Sequence, residues 1–189
     1  VEQRGLFDGV FRQPIVDEPR RLDAIYHPVE AFLDRGLTGH PNGKGVVRTG
    51  RGYRINIHQP QGDVPSWPIV STRLLHFDGL TPLHFLIKLV RYAGHEAEDL
   101  VRMVSENRRV QIAELALGPR ALHDRLRVLD GEKCDWLAGF GLMDRRGFDP
   151  RPEMERVLGR VPELSVDAFD AALRARYPEE VAALEALGL

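Results

Sequence analysis

The spacing of apolar residues changes near Gly79, and this change divides the chain in two. Before Gly79, glycine and proline recur every few residues and separate short runs that are typical of β-strands. These runs are GVVRTG (45–50), YRINIH (53–58) and PIVSTRLLHF (68–77). The pattern predicts a small β-sheet in the N-terminal half.

The middle run alternates most clearly between apolar and polar residues. Tyr53, Ile55 and Ile57 would face one side of a strand, and Arg54, Asn56 and His58 the other. We therefore expect the polar residues of this run to share one face.

After Gly79 the apolar residues recur with the spacing of an α-helix. Thr81 is a good N-cap, and Pro82 suits the first helical position. Apolar residues follow at steps of three and four and are predicted to be buried: Leu83, Leu86, Ile87 and Val90.

More helices are predicted towards the C-terminus. A long one is expected from about Glu96 to just before Gly118, and shorter ones follow in segments 120–129, 132–140, 151–160, 166–177 and 178–189. The prediction is thus an α+β fold, with a β-containing segment at 1–78 and a helical region at 79–189.

Composition narrows the class of protein. The 189 residues are 43% hydrophobic with a net charge of -2, which favours a globular protein and gives no global reason to expect nucleic acid as a partner. The single cysteine, Cys134, excludes an internal disulfide and fits a reducing compartment. No stretch approaches the roughly 20 apolar residues of a transmembrane helix. We expect a cytoplasmic protein without a transmembrane segment.

The net charge hides a basic interval. Between Asp34 and Asp63 there is no acidic residue, and five basic ones fall there: Arg35, Lys44, Arg48, Arg51 and Arg54. The loop GHPNGKG also brings free backbone N–H groups next to Lys44, which suits phosphate oxygens. The glycine spacing is not that of a Walker loop. The interval is either an anion-binding site or a solvated basic face.

Two histidines lie in positions where chemistry is possible. His58 ends the alternating run on its polar side, and is either a metal ligand or proton carrier or a hydrogen-bonded strand-end residue. His76 and Asp78 belong to HFDG, where the strand-like run meets the helix. Asp78 either makes only the turn, or shares the rim of a site with His76 and stays ionised near the helix N-terminus.

Three segments carry a resemblance to a known family. GHPNGKGVVRTG (39–50), YRINIHQP (53–60) and LLHFDGLTPLHFLIKLVRYA (74–93) resemble the C-terminal half of bacterial family-2-like glycosyltransferases, over about a third of the chain. The resemblance implies transfer of a sugar from a nucleotide-diphosphate donor to a glycan or lipid-linked acceptor. It also implies a divalent metal, Mg or Mn, held by an Asp-x-Asp pair that this sequence lacks. An upstream donor-binding domain would then be needed.

The resemblance assigns roles to particular residues. Lys44, Arg48 and Arg54 become candidate contacts to the donor phosphates, and His58 becomes a candidate metal or diphosphate ligand. His76 and Asp78 become catalytic candidates on the acceptor side.

A different class of function remains open, namely a non-catalytic binding or assembly module with an anion-binding basic face. Nucleic acid is a poorer partner, because Tyr53 is the one stacking aromatic in the basic interval and no recognition helix stands out.

Overall fold

The computed structural model describes residues 11–12, 32–39, 45–56, 60–65, 77–139, 141–144, 149–161 and 165–189. Within these ranges the chain is helical. The helices are α1 (Pro82–Ala93), α2 (Ala97–Met103), α3 (Glu106–Leu115), α4 (Pro119–Arg127), α5 (Gly131–Gly139), α6 (Arg151–Leu158), α7 (Val166–Arg176) and α8 (Pro178–Ala186).

The predicted α+β fold is wrong for the described part of the chain. Regular strand pairing there is limited to two residues on each side, where β1 (Phe11–Arg12) runs antiparallel to β2 (Met143–Asp144). Residues 45–50 and 53–56 form no strand, and Ile55 makes an isolated bridge with Pro60. Residues 57–58 and 68–76 of the predicted runs lie outside the described residues.

The apolar residues of the predicted strands explain the difference. A half-buried strand needs a neighbour that takes up its hydrogen bonds and covers its apolar face. Tyr53 and Ile55 instead remain exposed. Gly50 and Gly52 also have φ values of 75° and 71°, which interrupt an extended backbone.

Helix α1 forms the centre of the fold, as its sequence predicts. The Thr81 hydroxyl accepts a hydrogen bond from the backbone N–H of His84, and Pro82 opens the helix. Leu83, Leu86 and Ile87 are buried, and Val90 is partly buried against the same core. Helices α3, α4, α7 and α8 all pack on α1.

The predicted long helix from Glu96 is broken into α2 and α3. Val104 takes an extended conformation, with φ -131° and ψ 153°, and Ser105 is the N-cap residue of α3. Helix α2 buries none of its side chains, so packing does not hold it in line with α3.

No helix in the described ranges is long and apolar enough to cross a membrane.

Candidate functional site around Asp78

Asp78 lies in the loop that leads into α1, and its carboxylate is held by two basic residues from different helices. Lys88 on α1 donates from Nζ to Oδ1 of Asp78 at 2.8 Å and to its carbonyl oxygen at 3.0 Å. Arg108 on α3 donates from Nη2 to both carboxylate oxygens at 2.9 Å. The Asp78 and Arg108 side chains are only 10% and 9% exposed. The ion pair is therefore buried.

The charge state of Asp78 follows from these partners. Burial alone would raise the pKa of its carboxyl group, because water no longer stabilises the charge. The charges of Arg108 and Lys88, and their hydrogen bonds, outweigh that effect and lower the pKa to about 2. Asp78 is thus a carboxylate at neutral pH, because Arg108 and Lys88 stabilise its charge.

A third basic residue, Arg127 at the end of α4, reaches the same loop. Its Nη2 donates to the carbonyl oxygen of Gly79 at 2.9 Å, and its Nη1 lies 3.4 Å from Oγ1 of Thr38. Both Arg108 and Arg127 lie over the buried ring of Phe85, at 5.9 and 5.1 Å from its centroid. We call Asp78, Lys88, Arg108 and Arg127 the Asp78 cluster.

The backbone around the carboxylate packs closely. A Cβ atom at Gly79 would lie 2.7 Å from Cβ and 2.9 Å from Cα of Phe85, so the position admits only glycine without rearrangement. A Cβ at Gly39 would lie 3.4 Å from the Asp78 carboxylate carbon. Glycine at 79 therefore lets the loop approach α1 closely, whereas a side chain at 39 would make only an ordinary contact with Asp78.

The polar face of α3 holds the segment 32–39 in place. Gln111 donates from Nε2 to the carbonyl oxygens of Phe32 and Thr38, the latter at 3.0 Å, and Asn107 donates to Thr38 at 3.4 Å. Two buried polar atoms on this face, Nη1 of Arg108 and Oε1 of Gln111, have no hydrogen-bond partner among the residues that the structure describes. Each is a cost to stability where it stands.

His84 lies on α1 beside the cluster and is neutral. The backbone N–H of Leu80 donates to its Nδ1 at 3.2 Å, which places the ring proton on Nε2. Burial lowers the pKa of His84, and the nearby charge of Lys88 lowers it further. Its ring meets Phe169 of α7 edge to face at 5.4 Å. These contacts make His84 a packed residue.

The structure locates three of the six candidate site residues. Asp78 is buried in the cluster described above, whereas Arg48 and Arg54 are exposed and pair with no carboxylate in the described part of the chain. Lys44, His58 and His76 lie outside the described residues. Their predicted roles in phosphate binding, metal binding and catalysis remain predictions.

The described residues offer no set of side chains that could bind a metal ion. Among the residues that the structure describes, no group of three His, Cys, Asp or Glu side chains is arranged to hold a metal ion. Both oxygens of Asp78 already accept hydrogen bonds from basic side chains. Asp78 is therefore unsuited to metal coordination in this arrangement.

No local signal in the sequence marks Arg108 as a partner of Asp78. Arg108 lies 30 residues away, on a helix whose buried residues are mostly polar, namely Asn107, Arg108 and Gln111 beside Leu115. The periodic spacing of apolar residues, which predicts the buried face of most helices, cannot identify such a face. Lys88 could have been recognised from the sequence as a basic residue near Asp78, because it lies on α1 one turn after His84.

Comparisons with known proteins return no match to a family model, a curated protein or a solved structure.

Proposed function

We propose that this chain is the acceptor-side part of a cytoplasmic glycosyltransferase-like protein, which moves a sugar from a nucleotide-diphosphate donor to a glycan or lipid-linked acceptor. The observation that carries the proposal is the buried Asp78 cluster. It ties the HFDG segment, on which the resemblance chiefly rests, to α1 and α3. A surface turn of no functional importance would not require one buried and one partly buried basic partner.

In this proposal Asp78 is a positioning residue. A carboxylate whose pKa is about 2, with both oxygens accepting hydrogen bonds, is a poor proton acceptor at neutral pH. Any proton transfer from an acceptor hydroxyl then falls to His76, two residues earlier in the sequence, since imidazole titrates near neutrality. Asp78 then anchors the segment that carries His76 and does not itself transfer a proton.

On the donor side, Lys44, Arg48 and Arg54 are proposed to neutralise the diphosphate. A divalent metal would serve the same purpose by stabilising charge on the leaving group. The described residues supply no ligand set for it, so we assign no step to a metal, and His58 stays a candidate ligand.

The test is sugar transfer by the full protein that carries this chain. Release of nucleoside diphosphate is measured over a panel of nucleotide sugars, with lipid and glycan extracts as acceptors. His76→Asn should lower turnover by roughly 10²-fold or more while the melting temperature is kept. Asp63→Asn, an exposed carboxylate in the 60–65 loop, is the matched surface control and should be fully active. Full activity of His76→Asn would contradict the catalytic role.

A second function is favoured by the exposure of Arg48, Arg51 and Arg54, which makes a non-catalytic anion-binding module possible. The same experiment separates the two. Binding of a nucleotide diphosphate without release from any nucleotide sugar supports the module, and turnover supports the transferase.

A further inference from the structure

Residues 45–56 form a segment that combines exposed aliphatic and exposed basic side chains. Every residue in it except Val47 is exposed. Val46 is 82% exposed, Ile55 55% and Tyr53 44%. Exposed apolar groups in such a short stretch are costly in water unless another surface covers them in the working protein.

The charge of this segment is of one sign. Arg48, Arg51 and Arg54 are exposed along it, and no Asp or Glu occurs between Asp34 and Asp63. No acidic neighbour in the sequence is thus available to neutralise these side chains locally. The surface that covers the segment should therefore carry negative charge.

Local backbone contacts shape the second half of this segment. Left-handed glycines at 50 and 52 bracket Arg51, and the N–H of Gln61 donates to the carbonyl oxygen of Arg54 at 2.8 Å. An isolated bridge also pairs Ile55 with Pro60. These contacts give the C-terminal end of the segment a defined conformation.

We propose that residues 45–56 bind the surface of an anionic lipid bilayer, with Arg48 and Arg54 contacting lipid headgroups instead of the donor phosphates considered above. An interface of this kind offers negative headgroups next to an apolar acyl region, and it matches arginine, tyrosine and aliphatic side chains together. A nucleic acid would leave Val46 and Ile55 without a contact, and it would find Tyr53 as its one stacking aromatic. A fluid bilayer also requires no complementary groove, which suits a segment whose side chains are exposed.

The proposal is tested by vesicle flotation of the full chain without nucleotide, so the result does not depend on the proposed sugar transfer. Vesicles of phosphatidylcholine alone are compared with vesicles that also contain phosphatidylglycerol, at low and high salt. The chain should float with the anionic vesicles only, and less so at high salt. Absence of binding to anionic vesicles would overturn the proposal.

Two variants separate the charged from the apolar contribution. Replacing Arg48, Arg51 and Arg54 by Gln should lower partitioning by roughly a hundredfold, since each basic residue contributes about fivefold. Replacing Val46 and Ile55 by Ser should lower it by about tenfold. The controls are Val101→Ser and Arg102→Gln on α2, which are exposed elsewhere and should bind as the original chain does.

Two results would contradict the bilayer assignment. Unchanged partitioning of the arginine variant would remove the electrostatic basis. If the Val46 and Ile55 variant binds vesicles normally, and the chain binds polyglutamate or an oligonucleotide as strongly as vesicles, the segment recognises anionic polymers instead of lipid.

Discussion

Arg108 donates from a single guanidinium nitrogen, Nη2, to both carboxylate oxygens of Asp78, at 2.9 Å each. The contact joins α3 to the loop before α1 across 30 residues of sequence. Because both groups are buried, neither is stabilised by water when its partner is removed. The stability of the fold and the position of the HFDG segment therefore depend on the same pair.

Removal of the Asp78 charge should destabilise the protein strongly. Asp78→Asn leaves the buried guanidinium of Arg108 without its counter-charge, and we expect a loss of about 3 kcal/mol in the free energy of unfolding. The measurement is urea denaturation followed by circular dichroism. Asp63→Asn, at an exposed loop position, should change stability by less than about 0.5 kcal/mol. Equal stabilities of the two variants would show that the ion pair contributes nothing.

The double variant checks that this loss belongs to the pair. Replacing Arg108 by Met as well as Asp78 by Asn removes both charges, so the uncompensated guanidinium disappears. We expect the double variant to be more stable than the sum of the two single losses predicts. Strict additivity would mean that the two residues act independently.

Stability should also depend on pH through Asp78. Its folded pKa of about 2 lies below its ordinary value of 3.8, so the unfolded chain binds the proton more readily. The stabilisation, about 2 kcal/mol, is complete well above pH 3.8 and is lost as the pH falls from there towards 2. Urea titrations across this range should show the loss in the original chain and a smaller one in Asp78→Asn. Identical slopes would argue against a depressed pKa.

Two histidines add a separate effect at milder acidity. Burial lowers the pKa values of His84 and His123 below the ordinary 6.5, and for His123 it outweighs the opposing hydrogen bond to Asp124. The unfolded chain therefore takes up these protons first, and stability falls as the pH drops below about 6.5. NMR titration of the imidazole signals should give both midpoints below 6.5. Midpoints at or above that value would contradict the assignment of neutral rings.

The sequence predicted the elements whose signals are local. Thr81 and Pro82 start α1. The Thr81 hydroxyl accepts a hydrogen bond from a backbone N–H of the first turn, and Pro82 has no N–H that would need a partner, so both signals lie within four residues. The buried face of α1 follows from the three- and four-residue spacing of Leu83 and Leu86. Such features need no knowledge of distant parts of the chain.

The incorrect sequence predictions share a physical cause. The conformation and burial of these residues depend on contacts with parts of the chain that are distant in sequence. The alternation of Tyr53 and Ile55 fits a strand, but no neighbouring strand in the described residues covers them, so they stay exposed. Conversely, Arg108 and Gln111 look like surface residues of a helix, yet they are buried because Asp78 and the carbonyl groups of Phe32 and Thr38 accept their hydrogen bonds. The candidate site could be located from HFDG, but its chemistry depends on these contacts.

The N-cap residue of α1, Thr81, should contribute to the free energy of unfolding through its hydroxyl group. Thr81 accepts from the N–H of His84 at 3.2 Å and donates to a carboxylate oxygen of Asp170 on α7. Thr81→Ala loses both contacts at a buried position, and we expect a loss of about 2 kcal/mol. Thr81→Ser keeps the hydroxyl and should recover most of that stability. If Ser is no better than Ala, the methyl group and not the hydroxyl is responsible.

The last prediction concerns the tight approach of Gly79 to α1. In Gly79→Ala the new methyl group would lie 2.7 Å from Cβ and 2.9 Å from Cα of Phe85, and the helix backbone cannot yield as a flexible side chain would. We expect a loss of about 1–3 kcal/mol, as for other overpacked sites, because the loop must move away from α1. Gly139→Ala, at the end of α5 with no atom within 4 Å of the added Cβ, is the matched control. The control should be neutral or slightly stabilising, since alanine favours helix over glycine by about 1 kcal/mol.

Displacement of the loop would also disturb the Asp78 cluster, so Gly79→Ala should weaken the dependence of stability on pH between about 4 and 2. A stable Gly79→Ala protein with an unchanged acid titration would show that the loop does not need to lie this close to Phe85.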